Sequence, residues 1–176
     1  MENTNIGYEE WQCTLYDFQA KFTYAITQKY QVWRLLTATF LHNNWVHLFW
    51  NIFSLFMIGF VVESELQSPR KFLELVIVGG IAGNLFSAWS KPYSIGVGAS
   101  AAIFAVLGAL VVWVWLNFQR LGPFRYQFLA FFGVLLLLSF LQGLANKSLD
   151  FGGHFGGFVI GVCLGIQYMK ISRVED

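Results

Sequence analysis

The sequence predicts an all-α fold: a polytopic transmembrane helix bundle with five spans. Two observations carry this. Apolar residues make up 56 % of the 176 residues and charged residues only 12 %, about half the charged share of an ordinary soluble domain. Mean hydropathy is +0.55. Second, five apolar stretches each approach the roughly 20 residues a helix needs to cross a bilayer: Leu41–Val62, Phe72–Trp89, Ala99–Phe118, Tyr126–Ala145 and Gly153–Met169. The third and fourth show no polar face at helical period, which argues against a soluble helical core.

In chain order, residues 1–32 come first. They contain no apolar run, so neither a signal peptide nor a spanning helix is expected there. Trp11, Tyr16, Phe18, Phe22, Tyr24 and Tyr30 are scattered among polar residues. Two readings fit: an interfacial or partner-bound segment, and a partly ordered polar tail. The membrane domain then runs over 33–170, with a short tail at 171–176. Its connections carry turn and charge signals: Ser68-Pro69-Arg70-Lys71 within Glu63–Lys71, Lys91-Pro92 within Ser90–Gly98, Gly122-Pro123 within Arg120–Arg125, and the polar Asn146–Asp150. Trp45, Trp89, Trp113 and Trp115 lie near span ends, where aromatic belts form.

Five spans place the termini on opposite sides. Lys29, Arg34, Lys91 and Lys147 stand against Arg70, Lys71, Arg120, Arg125, Lys170 and Arg173, which favours a cytoplasmic C-terminus or its topological equivalent. By parity the first, third and fifth spans start from one face. His42, His47, Asn51, Ser100 and His154 would then share one depth, in the first turns of those spans.

The net charge of +1 predicts no nucleic-acid partner. Cys13 and Cys163 are placed too differently to pair. Asn146-Lys147-Ser148 is a glycosylation sequon too close to the bilayer to be modified. No targeting signal is legible, so the plasma membrane, endomembranes and the inner mitochondrial membrane all fit.

Polar and ionisable residues within a bilayer are costly and functional by default. Gly153, Gly157, Gly161 and Gly165 form a bare ridge along the last span, and Ala101, Ala105 and Ala109 a matching one along the third. Small residues at that interval let helices approach closely, so the two ridges are expected to pack together. That contact brings Ser100 towards His154. A serine hydroxyl needs a base to become a nucleophile, and histidine is the usual one. The plainer reading is a packing motif with Ser100 as an N-cap. His47 and Asn51, four apart, share a helix face. They could supply donors for an oxyanion, or form a structural polar pair. The site lacks acidic and cysteine ligands, so no metal and no cofactor is expected.

His42-x4-His47-x3-Asn51, Gly98-x-Ser100 and His154-x2-Gly157, together with Trp33-Arg34 and Phe40-Leu41-His42, resemble the rhomboid intramembrane serine proteases, over about Val32 to Gly165. The resemblance implies a dyad of Ser100 as nucleophile and His154 as base. It implies an oxyanion hole of His47, Asn51 and the Ser100 N–H, supported by His42. It sets Phe104 against the His154 ring and gives Arg34 the loop in the outer leaflet, with Glu63 as its partner. The implied substrates are single-pass membrane proteins cut near the outer face; lipids are the other expected contacts. Three departures stand out. Ala101 replaces the usual glycine, which narrows the nucleophile turn or nudges the ridges apart. Phe104 lacks a tyrosine hydroxyl. The family's first span has no counterpart before Trp33-Arg34, which predicts stable association with other membrane subunits in its place. The alternative function is a non-catalytic rhomboid-like subunit of a larger membrane complex.

Overall fold

The computed structural model describes residues 3–128, 130, 131, 133, 134 and 150–169. The elements are α1 (Asn3–Asp17), α2 (Thr23–Gln28), α3 (Arg34–Thr37) with a 3-10 turn at Ala38–Phe40, α4 (Trp45–Leu66), α5 (Pro69–Ser90), α6 (Ser100–Leu116) and α7 (Phe151–Tyr168). Residues 124–128 and the described positions up to 134 are also helical. Among the described residues the only strand-like pairing is an isolated bridge between Lys21 and Gly96. The fold is all-α, as the composition predicts.

Three helices, α4, α5 and α7, are long and apolar enough to cross a membrane, and α6 is an apolar helix of 17 residues. Most of the expected span Tyr126–Ala145 lies outside the described residues. So do the sequon at Asn146 and the tail 171–176.

Caps set boundaries that hydropathy blurs. The Asn44 side chain accepts the His47 backbone N–H at 2.8 Å, so α4 starts at Trp45. Leu41 is extended at φ −88° and ψ 149°. His42 therefore precedes the helix rather than sitting in its first turn. Ser68 caps α5 and Pro69 opens it, a position where a missing N–H costs nothing. The run Ser68–Lys71 is thus a cap and first turn, not only a connection. Asp150 accepts the Gly153 N–H at 3.0 Å and starts α7.

The centre of the bundle is α6, where Ala101, Ala102, Ala105, Val106, Ala109 and Leu110 are buried. α7 packs on it backbone to backbone. A Cβ at Gly157 would fall on the Ala101 carbonyl, one at Gly161 on the Ala105 carbonyl, and one at Gly165 would lie 2.8 Å from Ala109 Cα. The predicted ridges meet at these three glycines. Gly153 departs from the pattern: its nearest neighbour is its own cap, the Asp150 carboxylate, at 2.8 Å. α5 supplies a third small-residue face. A Cβ at Gly83 would lie 2.6 Å from the Ala101 methyl and 2.6 Å from the Gly153 carbonyl oxygen.

Trp45, Trp89 and Trp115 are exposed, as interfacial tryptophans would be. Trp113 is not one of them. It is 8 % exposed, and its indole N–H donates to Glu65 at 2.8 Å, because a buried indole needs an acceptor.

The N-terminal segment docks on the chain itself. Arg34, 1 % exposed, donates to the carbonyls of Tyr16 and Ala20 at 2.8 and 2.9 Å and to Gln31 Oε1 at 2.7 Å. Its guanidinium lies 4.3 Å from the Tyr16 ring centroid. Trp33 donates to Gln19 Oε1 at 2.8 Å, and Thr37 to the Gln19 carbonyl at 2.7 Å. Of the two readings of this stretch, the partly ordered tail does not describe residues 16–31: the polar groups of α3 are satisfied by the backbone and side chains that precede it.

Candidate active site

Ser100 is the first residue of α6. The turn before it depends on Gly98, at φ +124°, a conformation that only glycine adopts readily. The Gly98 N–H donates to the Ala38 carbonyl at 2.9 Å, which holds the approach to Ser100 against the 3-10 turn. The preceding residue, Ala99, makes no side-chain cap. The Ser100 side chain does not cap the helix; it reaches across to α7.

His154 stands in the first turn of α7, whose close approach to α6 brings the imidazole within range. Ser100 Oγ and His154 Nε2 are 2.9 Å apart. With Nε2 unprotonated, the hydroxyl donates to it. Phe104, one turn beyond Ser100, stacks on the imidazole with centroids 4.4 Å apart and planes 9° from parallel. The missing tyrosine hydroxyl leaves that stack intact. Ala101 is also accommodated: its methyl faces Gly83, where α5 has no side chain to displace.

His47 closes the site from α4. A Cβ at Gly98 would lie 2.7 Å from His47 Cε1 and 3.0 Å from Nε2, so the imidazole rests on the bare Gly98 backbone. His42, from the loop ahead of α4, meets it edge to face at 5.1 Å. His42 Nε2 and His47 Nδ1 are both buried without a hydrogen-bond partner. Asn51 is 7 % exposed, and its amide donates to the His47 carbonyl at 2.8 Å. One of its two N–H groups is thus spent within α4, leaving one.

The structure therefore brings His42, His47, Gly98, Ser100, Phe104, His154 and Gly157 to one end of the bundle, with Asn51 one turn below His47. Arg34 anchors the N-terminal segment beside this end. Glu63 does not join it. Glu63 lies in the last turn of α4, exposed and at the far end from His47, and Arg34 takes its acceptors from Tyr16, Ala20 and Gln31 instead. Among the described residues no group of three or more His, Cys, Asp or Glu side chains could hold a metal ion.

Four supporting residues are given no role in the sequence reading. Asn84, 5 % exposed, donates to the Leu35 carbonyl at 2.8 Å and to Thr39 Oγ1 at 3.2 Å, tying α5 to the α3 turn. Ser87 is fully buried and accepts from Lys21 at 2.8 Å. Asp150 caps α7. Polar residues inside or just before an apolar span were the available signal for these three. Lys21 carried none.

The fold and site define a class: an integral membrane helical bundle whose spans bring a serine and a histidine into contact at one end. The rhomboid domain model matches residues 29–171, and the chain belongs to the rhomboid family. It is 32 % identical over 175 residues to rhomboid-like protease 3 of Toxoplasma gondii, covering 97 % of this chain and 63 % of that one. It is 34 % identical to RHOMBOID-like protein 7 of Arabidopsis thaliana, covering 79 % of this chain and 45 % of the relative. Rhomboid protease GluP of Bacillus subtilis (strain 168) is 36 % identical over 152 residues, covering 84 % and 28 %. The chain spans less than two thirds of the length of each of these relatives.

Proposed function

We propose that this protein is an intramembrane serine protease working through a Ser100–His154 dyad. The observation that carries the reading is the 2.9 Å separation of Ser100 Oγ and His154 Nε2, which is the reach a general base requires. The similarity to rhomboid proteases of Toxoplasma gondii and Bacillus subtilis supports the same chemistry.

In the reaction, Ser100 Oγ attacks the carbonyl carbon of a peptide bond and its proton passes to His154 Nε2. The carbonyl oxygen becomes an oxyanion, met by the Ser100 backbone N–H, His47 and the free N–H of Asn51. A pair of such donors contributes several kcal/mol. The C–N bond then breaks, and His154 returns the proton to the leaving amine. Water, deprotonated by His154, hydrolyses the acyl-enzyme and restores the Ser100 hydroxyl. His154 needs no carboxylate partner in this scheme; the Phe104 stack holds its ring plane. The substrates are single-pass membrane proteins cut near the face where α4, α6 and α7 begin.

The test is fluorophosphonate labelling of the protein in nanodiscs, with Ser100→Ala and His154→Ala beside the wild type. Labelling that vanishes in both variants supports the dyad. A folded wild type that takes no label overturns the protease reading and leaves the non-catalytic subunit.

A further inference from the structure

Lys21 lies in the short link between α1 and α2, yet it is fully buried. A buried ammonium is costly unless its donors and its charge are both met. Its Nζ donates to Ser87 Oγ on α5 at 2.8 Å and to Ser94 Oγ in the α5–α6 loop at 3.3 Å. Its backbone pairs with Gly96 through two hydrogen bonds, each 3.0 Å. The opposing charge it feels is that of Asp150, just before α7. Both side chains border Gly96: a Cβ there would be 2.7 Å from Lys21 Cε, 3.3 Å from its Nζ and 3.8 Å from Asp150 Oδ2. A side chain at position 96 would intrude on the Lys21 stem.

Both halves of the candidate dyad hang from this cluster. Gly96 opens the last stretch before Ser100, through Gly98. Asp150 accepts the Gly153 N–H with its side chain at 3.0 Å and the His154 N–H with its carbonyl at 3.1 Å. We propose that Lys21 is a positioning residue of the site: its buried ammonium binds Ser87 and Ser94 and borders Gly96 with Asp150, and so fixes the loop that delivers Ser100 against the helix start that delivers His154. The inference rests on the dyad reading, deepens it, and assigns Lys21 no contact with substrate.

Two readouts test it on the full chain in nanodiscs: the rate of fluorophosphonate labelling, and the 15N signal of His154, one of only three histidines. Lys21→Met keeps the length of the side chain and removes the charge. Folded Lys21→Met is expected to label at least about tenfold more slowly, within the ~100-fold that a 1 Å misplacement can cost, and to shift the His154 signal. Asp150→Asn should slow labelling too, and Lys21→Met/Asp150→Asn should be faster than the product of the two single effects, because neither charge is then stranded. Folded Lys21→Met with a wild-type labelling rate and an unmoved His154 signal overturns the proposal. If Lys21→Met does not fold, Asp150→Asn decides alone: unchanged rate and signal overturn it, slower labelling with a moved signal supports it. A wild type that never labels sinks the dyad reading. The His154 signal still judges Lys21 there: a shift in Lys21→Met supports the placement, and no shift overturns it.

Discussion

The Phe104 ring lies flat on the His154 imidazole, with centroids 4.4 Å apart and planes 9° from parallel. Both residues sit one turn or less from the start of their helices, so this stack fixes the imidazole plane while Nε2 meets Ser100. Aromatic pairs contribute about 0.5–1.5 kcal/mol beyond area burial. Phe104→Ala is therefore expected to slow fluorophosphonate labelling by about two- to tenfold, while Phe104→Tyr keeps the rate. Equal rates for Phe104→Ala and wild type would show that the stack does not orient the base.

Gly98 is constrained twice, by its φ of +124° and by the His47 ring against its Cα. Gly98→Ala meets backbone strain of about 1–3 kcal/mol and pushes His47 off the turn. Labelling should be lost with much less loss of thermal stability, because the damage is local to the turn before Ser100. A variant with wild-type labelling would contradict this role for the glycine.

The Ala101 methyl is compatible with the site because Gly83 faces it. Gly83→Ala would set its Cβ 2.6 Å from that methyl and 2.6 Å from the Gly153 carbonyl oxygen. Overpacking of this kind costs about 1–3 kcal/mol and wedges α5 into the α6–α7 seam. Lower thermal stability and slower labelling are expected together. In the double variant Gly83→Ala/Ala101→Gly only the clash with the methyl is relieved and that with the Gly153 carbonyl stays, so part of both losses should return, which differential scanning of wild type, the two single variants and the double variant would measure.

Much of this arrangement is legible in the sequence. Apolar run lengths placed the helices, and the interval of four in Gly157, Gly161 and Gly165 against Ala101, Ala105 and Ala109 identified the central seam. That seam is what brings Ser100 to His154. The misses have physical causes. The small face of α5 was missed although Gly79, Gly83 and Ser87 also recur every four residues, because a ridge of only two glycines and a serine stands out less than the run of glycines on α7. Glu63 was assigned to Arg34 by the family resemblance, whereas an arginine in a tight turn finds backbone carbonyls closer at hand. Trp113 read as interfacial because an indole at a span end can face either way. Lys21 was invisible, since a lysine in a polar stretch is usually solvated, and only the seating of the α1–α2 link against Ser87, Ser94 and Gly96 buries it.

Arg34 ties the N-terminal segment to the bundle through a planar fork of donors that lysine cannot copy. In Arg34→Lys the carbonyls of Tyr16 and Ala20 lose charged partners, and leaving a buried acceptor unmet costs about 1–3 kcal/mol for each group. The segment up to Gln31 should then become a site of limited proteolysis while α4 to α7 stay protected. Cleavage within the bundle at the same rate would mean that Arg34 supports the whole fold instead.

Lys21 gives the sharpest dependence on pH. Burial holds its pKa below the ordinary lysine value of 10.5, Lys91 pushes the same way, and Asp150 opposes both. The unfolded chain therefore binds the proton more readily than the folded one between the depressed value and 10.5, and stability rises with pH through that window. Below the window the cost of burying the charge is fully present. Lys21→Met carries no such group, so the difference in unfolding temperature, wild type minus variant, should grow as pH climbs towards 10.5. The ratio of their labelling rates should move the other way, because the neutral amine no longer draws Asp150 and the two hydroxyls together. Stability and reactivity that rise together would mean that the ammonium is a burden the site does not use.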